Sequence, residues 1–419
     1  MRQPTKPDSP PSRSSPAKPA APRRHGALGT ASFTVAHLIN DSYPNLYPVL
    51  LPELMPVLHF GTAAAGLIST VTSLTTQFLQ PFMGMAADRL GGRRFVVGGL
   101  TLGSIVTALA LGFAPSYGLL LLLLLIAGLG NSAFHPHASS IVGEATVGRK
   151  GLGMSFFMIG GNFGRAVAPV LAGGAFLLGG RHGLLFVAIP GLIMALVMAQ
   201  VLNPPPPPHP RQAKVFTASF RRGLSAAGGL LTLVGLRSMA TLATLTLVPI
   251  WWKASGRPIT ETAGLLSLLF IAGSIGNVAG GYLSDRIGSK PILIGSAVLS
   301  SIFMSLFLLF RNPFLDVLVF ALLGASLYST GSVVMVFSQA LFPENRGMAS
   351  GLTLGIGNTL GSLGVGIIGL IADRTTPATG LWVVAGAVLL SIPFVVRLRE
   401  HGITPPPPAP TPGPAPAGH

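Results

Sequence analysis

Asp41 and His37 lie four residues apart in an otherwise apolar stretch, so on a helix they share one face. An acid beside an imidazole, away from water, is a place where a proton can be bound and released. Holding a charge at the centre of a bilayer costs about 2.5–3.5 kcal/mol or more, so an ionisable residue there is a functional candidate by default. A structural ion pair, with Arg237 as the partner, would explain the same acid. Arg165 and Arg237 are the two basic residues that fall inside apolar runs. A guanidinium in a water-filled cavity grips a carboxylate or phosphonate with two parallel hydrogen bonds; pairing with Asp41 or with helix-end carbonyls is the structural alternative. Asn131 and His135 are again four residues apart, as are Tyr328 and Ser332, and Asn40, Tyr43 and Tyr47 flank or follow Asp41. These side chains are expected to line a polar cavity. The run His135-Pro136-His137 lacks the spacing and acidic partners of a metal site, so neither metal nor cofactor is expected. With no cysteine there is no disulfide, thiolate or Cys-based metal chemistry. Gly-x-Ser-x-Gly, His-Glu-x-x-His and a phosphate loop ending in Lys-Ser/Thr are all missing, which argues against an enzyme embedded in the membrane.

What must position these residues is a set of membrane helices. Of 419 residues, 49% are hydrophobic and only 9% charged, against about a quarter charged in soluble domains. Mean hydropathy is +0.65. Apolar runs of bilayer-spanning length, about 20 residues each, fall at 33–56, 63–85, 95–114, 118–140, 152–178 and 183–202, then at 227–250, 262–284, 291–310, 314–338, 349–371 and 379–397. The expectation is an all-α membrane protein of twelve transmembrane helices in two six-helix repeats. Its parts would be a disordered basic tail (1–26), an N-terminal bundle (27–202), a Pro-rich basic linker (203–226), a C-terminal bundle (227–400) and a disordered Pro-rich tail (401–419). Most of the 27 basic residues then fall on one side, among them Arg89, Arg93, Arg94, Arg211, Arg222, Arg286, Lys290 and Arg397. The positive-inside rule places that side, and both termini, in the cytoplasm of a cell-membrane protein. The net charge of +16 thereby reflects topology and attraction to anionic lipid, not nucleic-acid binding. The expected partners are a small molecule, protons and the bilayer, with the chain acting as a monomer. Pro44, Pro48, Pro52 and Pro56 recur every four residues beyond Asp41 and should make the first span bendable.

An internal repeat carries the two-half argument. Gly84-Met-Ala-Ala-Asp88-Arg89-Leu-Gly91, followed by Arg93, ends the second run, and Gly281-Tyr-Leu-Ser-Asp285-Arg286-Ile-Gly288 ends the eighth. The offset that carries Asp88 onto Asp285 also carries Arg149 onto Arg346, Gly160 onto Gly357 and Gly164 onto Gly361, although it sets Gly151 against Met348. Parallel repeats of this kind build one class of secondary transporter. An acid held at a helix end in a tight Gly turn can accept hydrogen bonds from a neighbouring helix N-terminus or pair with an Arg, and so latch a gate. An ordinary charged loop that only enforces topology is the alternative.

The Gly84 to Arg94 segment resembles the signature loop of the major facilitator superfamily, with Gly92 where the usual pattern has its first Arg after the glycine. Within that superfamily the chain resembles the fosmidomycin resistance group. The residues that carry this are Ala36-His37-Leu-Ile-Asn40-Asp41-Ser-Tyr43-Pro44-Asn45-Leu-Tyr47-Pro48-Val-Leu-Leu-Pro52, Phe134-His135-Pro136, and Arg149-Lys150-Gly151 leading into Gly160-Gly161-Asn162-Phe163-Gly164. In the fifth run Gly164, Pro169 and Gly173 fit the Gly-rich motif of drug/proton antiporters, with Ser155, Ala168 and Ala172 in place of glycines. The fourth run lacks the arginine that many antiporters carry there. The resemblance implies the major facilitator fold, gating by the two Asp-Arg turns, and proton-coupled efflux of a small drug-like compound by alternating access, an anionic phosphonate such as fosmidomycin among the candidates. Proton-coupled import of a small organic anion is the alternative.

Overall fold

A computed structural model of the chain describes residues 27–145, 150–202, 228–310, 312–341 and 346–398; of these, 27–30, 88, 143–145, 150–152, 340–341 and 346–354 are described in backbone only. The expected linker and both expected tails lie outside the described residues, as does Arg149.

Every regular element among the described residues is helical. The first half holds α1 (Ala27–Ser42), α2 (Tyr47–Leu58), α3 (Thr62–Ser73), α4 (Gln80–Leu90), α5 (Gly92–Phe113), α6 (Tyr117–Ala145), α7 (Lys150–Gly183) and α8 (Ala188–Val201). After the linker come α9 (Gly228–Ala254), α10 (Ile259–Ile287), α11 (Ser289–Leu309), α12 (Pro313–Tyr328), α13 (Gly331–Leu341), α14 (Arg346–Arg374), α15 (Pro377–Ala387) and α16 (Ile392–Arg397). The surface is inside-out relative to a soluble bundle. Ile275, Val278, Phe186 and Leu196 are exposed, while Asp41, Asn131 and Arg237 are buried. A protein that turns its aliphatic residues outward and its charges inward is solvated by lipid.

Nine apolar helical runs among the described residues are long enough to cross a membrane. The expected spans 33–56 and 63–85 are not among them, and the chain's chemistry explains why. Pro44 and Pro48 lack the N–H a continuous helix needs, so the first run is built from α1, a 3₁₀ turn (Tyr43–Asn45) and α2. In the second, Pro81 withholds another donor. The backbone between α3 and α4 widens into a π-helical turn (Leu74–Phe78), where Thr75 and Thr76 donate to carbonyls of the preceding turn. One of the nine, Gly153–Val201, is 49 residues long. Its backbone leaves helical geometry at Gly179 and Gly180 (φ +57°), where the expected fifth and sixth runs meet.

The packing pairs elements in matching ways. α1 lies along α7, and α9 lies along α14; across the middle, α3 packs on α14 and α7 on α10. Each Asp-Arg turn closes on a glycine of positive φ, Gly91 (95°) between α4 and α5 and Gly288 (91°) between α10 and α11. We call the end of the bundle that carries them the motif end, and the opposite one the far end. Gly288 has ψ 160°, in a region essentially reserved for glycine, where another residue costs about 1–3 kcal/mol. A methyl group there has room, its nearest neighbour being Pro291 Cδ at 3.8 Å. Gly288→Ala is therefore expected to lower stability by that amount through backbone strain alone. Gly295→Ala, inside α11 with open space around it, should be neutral or stabilising. Thermal unfolding of both variants in detergent checks the contrast.

Candidate functional site

Interrupted and continuous helices together build the centre of the bundle. A cavity of about 420 Å³ lies between the halves. α1 and α2 supply Asp41 and Tyr47, α6 supplies Asn131 and His135, and α7 supplies Arg165. Arg237 of α9 and Tyr328, at the break between α12 and α13, face it from the other half.

Asp41 is the hub of a buried cluster. His37 Nε2 lies 3.4 Å from Oδ2, His135 Nε2 3.1 Å from Oδ1, and Arg165 Nε 3.8 Å from Oδ2. Behind it, His37 Nδ1 is 2.6 Å from the carbonyl of Phe157, and its ring stacks on the Phe157 ring at 4.0 Å. With Nδ1–H donated to that carbonyl, Nε2 is the nitrogen left to exchange a proton with Asp41. Asn40 bridges the acid and His135 through Nδ2, at 3.4 and 3.2 Å, and its own carbonyl accepts from Asn131 Nδ2 at 2.9 Å. The cluster thus ties α1 to α6 and α7.

Several expectations need correction. Asp41 is not paired with Arg237; its cationic neighbour is Arg165, because α1 packs on α7 and not on α9. Arg237 instead donates to Thr330 Oγ1 at 2.8 Å, to Ser296 Oγ and to the Leu327 carbonyl at 3.4 Å. It fastens α9 to α11 and to the α12–α13 break, with no carboxylate partner among the described residues. Tyr43 does not reach the cavity: two residues beyond Asp41 it lies about half a helical turn round, on the opposite side, where its hydroxyl donates to the Val187 carbonyl at 2.9 Å. His37 and Asn40 do not line the cavity; both contact Asp41, which does. His135 does have acidic company, from a helix distant in sequence. Ligand atoms of His37, Asp41 and His135 lie within 4.8 Å of one another, a spacing that could hold a metal ion. The guanidinium of Arg165 beside the same carboxylate already supplies positive charge there.

A polar stripe escaped the sequence reading. Ser69, Thr72, Ser73, Thr76, Gln77 and Gln80 line the cavity along one face of α3, the π-helical turn and the start of α4. Their spacing of three and four residues inside an apolar run was the available signal. Asp316 was also missed; it is buried in the first turn of α12, at the far end, and its Oδ1 has no hydrogen-bond partner among the described residues.

At the motif end, Gly84 faces Pro136 of α6, and Gly281 faces Ser332 of α13. Arg93 Nη2 donates to the Ala199 carbonyl at 2.5 Å, binding α5 to α8. Arg89 is exposed, and Asp88 lies outside the residues whose side chains are described. Asp285 and Arg286 are exposed; Arg286 sits over the Tyr282 ring at 4.4 Å, and Asp285 has no ion pair among the described residues.

A lipid-solvated helical bundle with a polar, charged cavity between two helix groups is a multi-pass membrane transporter. The chain belongs to the Major Facilitator Superfamily, whose family model matches residues 33–257 and 230–419. It is 29% identical over 366 residues to the fosmidomycin resistance protein of Escherichia coli (strain K12), covering 84% of this chain and 87% of that one. It is equally 29% identical over 393 residues to an uncharacterized MFS-type transporter, YfnC, of Bacillus subtilis (strain 168), covering 87% and 93%. The fold matches the crystal structure of the nucleoside transporter NupG with a TM-score of 0.73 at 17% identity, over 88% of this chain and 98% of that one.

Proposed function

We propose that this chain is a secondary active exporter, which moves a small drug-like compound out of the cell in exchange for protons by alternating access. The observation that carries this reading is the cluster of buried Asp41 and His37 with half-buried His135 and Arg165, opening on the central cavity. It puts a group able to hold a proton within reach of whatever occupies that space. Similarity to a fosmidomycin resistance protein supports efflux and an anionic phosphonate as cargo. One proton moving through about 150 mV releases roughly 3.5 kcal/mol, which supports a cargo gradient of a few hundredfold.

The architecture proposed is twelve spans in two parallel six-helix repeats, with both termini cytoplasmic and the protein working as a monomer in the cell membrane. Support for the count comes from the two interrupted runs, α1–α2 and α3–α4, and from the break at Gly179 and Gly180. The repeat is supported by the matching α1–α7 and α9–α14 packing and by the paired turns at Gly91 and Gly288. Arg89, Arg93, Arg94, Arg286, Lys290 and Arg397 all lie at the motif end, which favours that end as cytoplasmic.

A drug-susceptibility panel with and without expression tests export: resistance to at least one compound, lost when the proton gradient is collapsed, is expected. Sensitisation across the panel would overturn it. The second reading, import of an organic anion, draws on Arg165 and Arg237, both of which face the cavity. Gain instead of loss of a labelled anion by expressing cells would select it.

The Asp-Arg turns are proposed as a latch of the motif end. Asp88→Asn together with Asp285→Asn is expected to slow transport about tenfold while leaving yield and thermal stability near the parent, because a latch biases states without touching cargo. Initial rates in vesicles, read beside thermal unfolding, check this; unchanged rates would leave only the topological role.

A further inference from the structure

At the far end one half supplies a helix cap to the other. α3 begins at Thr62 after Gly61, an N-cap residue without a side chain to accept from the first-turn N–H groups. Asp373, near the end of α14 in the other half, fills that role. Its carboxylate accepts from Thr62 N at 2.6 Å and Ala63 N at 3.0 Å, and the Thr62 hydroxyl donates to it as well. A Cβ at position 61 would lie 2.8 Å from Asp373 Oδ1, so glycine is what lets the acid approach. An anion on a helix N-terminus gains from the backbone donors and from the dipole together. Glu53 and Lys253 add an ion pair of 2.7 Å between the halves at the same end; being exposed, it contributes little alone.

The apolar core independently marks this end as the closed one. A single buried cluster there runs through both halves, joining Leu50 and Ile68 to Leu247, Leu266 and Ile368. At the motif end each half keeps its own among the described residues: Phe33, Leu100 and Phe134 in one, Leu230, Leu293 and Phe337 in the other.

We infer that Asp373 and the Gly61–Ala63 helix start form a latch that sets how long the far end stays closed. To expose the cavity on that side the halves must part, and the cap must break with them. This goes beyond the transport reading, because it holds whatever the cargo and whichever way it moves.

The chain has no cysteine, so the full-length protein accepts spin labels at Ser116→Cys and Ser255→Cys, exposed far-end positions in opposite halves. Double electron–electron resonance in nanodiscs then reads the closed and open distances as populations. Asp373→Ala is expected to raise the open-to-closed ratio about tenfold. Asp373→Asn keeps the shape, removes the charge and should shift the ratio in the same direction by less. Adding Gly61→Ser to Asp373→Ala restores a local cap for α3 but not the tether between halves, so the ratio should stay shifted while thermal stability recovers. An unchanged distance distribution in both Asp373 variants, or its return to the parent's on adding Gly61→Ser, would overturn the latch.

Discussion

Vesicles carrying Asp41→Asn are expected to lose pH-gradient-driven accumulation, from a few hundredfold to about onefold, while still binding cargo. Asparagine keeps the size of the side chain and one acceptor, so Asn40, His135 and Arg165 retain something to contact. What it cannot do is carry a proton. No other described carboxylate lines the cavity. Glu53 is engaged by Lys253 at the far end, Asp373 caps α3, and Asp285 is exposed at the motif end. His37 and His135 remain in the variant, and each faces position 41 through Nε2. The measurement is uptake or efflux under an imposed pH gradient, with equilibrium exchange of labelled cargo as the control for intact alternating access. Full gradient-driven transport by Asp41→Asn would move the coupling role to the two histidines. Combined His37→Gln and His135→Gln would then be the variant that abolishes it.

How much of this could be read beforehand depends on what each conclusion needed. Helices followed from composition, since apolar runs with so few charges have no other stable form in lipid. The bend in the first span followed from the proline spacing, although the 3₁₀ turn at Tyr43–Asn45 did not. The repeated turns were visible as a motif, and their glycines proved to have the same sign of φ. Pairings across the bundle were not legible. Which cation meets Asp41 depends on the rotation of α1 against α7 and of α9 against α11, and a four-residue spacing says nothing about that. The same limit misplaced Tyr43, whose hydroxyl reaches Val187 and not the cavity. The Ser69 to Gln80 stripe was missed, although hydroxyls and amides recurring on one helical face in an apolar run need a wet surface to face.

The two arginines that line the cavity should separate cleanly by experiment. Arg237 has its donors occupied by Thr330, Ser296 and the Leu327 carbonyl, and it is only 6% exposed. Truncating it orphans those acceptors, each costing about 1–3 kcal/mol when buried, so Arg237→Gln should show chiefly as lost yield and a lower unfolding temperature. Arg165 is built differently. A third of its side chain is exposed, Nη2 donates to Asn162 at 2.8 Å, and the buried Nε has no hydrogen-bond partner among the described residues. A partly exposed guanidinium at the cavity wall, 3.8 Å from Asp41, is of the two the better placed to engage an anionic cargo. Losing a charged hydrogen bond costs about 1.5–3 kcal/mol, so Arg165→Gln should raise KM for an anion by roughly 10- to 100-fold with little change in folding. Arg165→Lys keeps the charge but not the fork, and should recover part of that loss. Transport kinetics in vesicles, set beside thermal unfolding in detergent, distinguish the roles. A raised KM in Arg237→Gln at parental stability, with Arg165→Gln unchanged, would exchange them and make the clamp of α9 the cargo site.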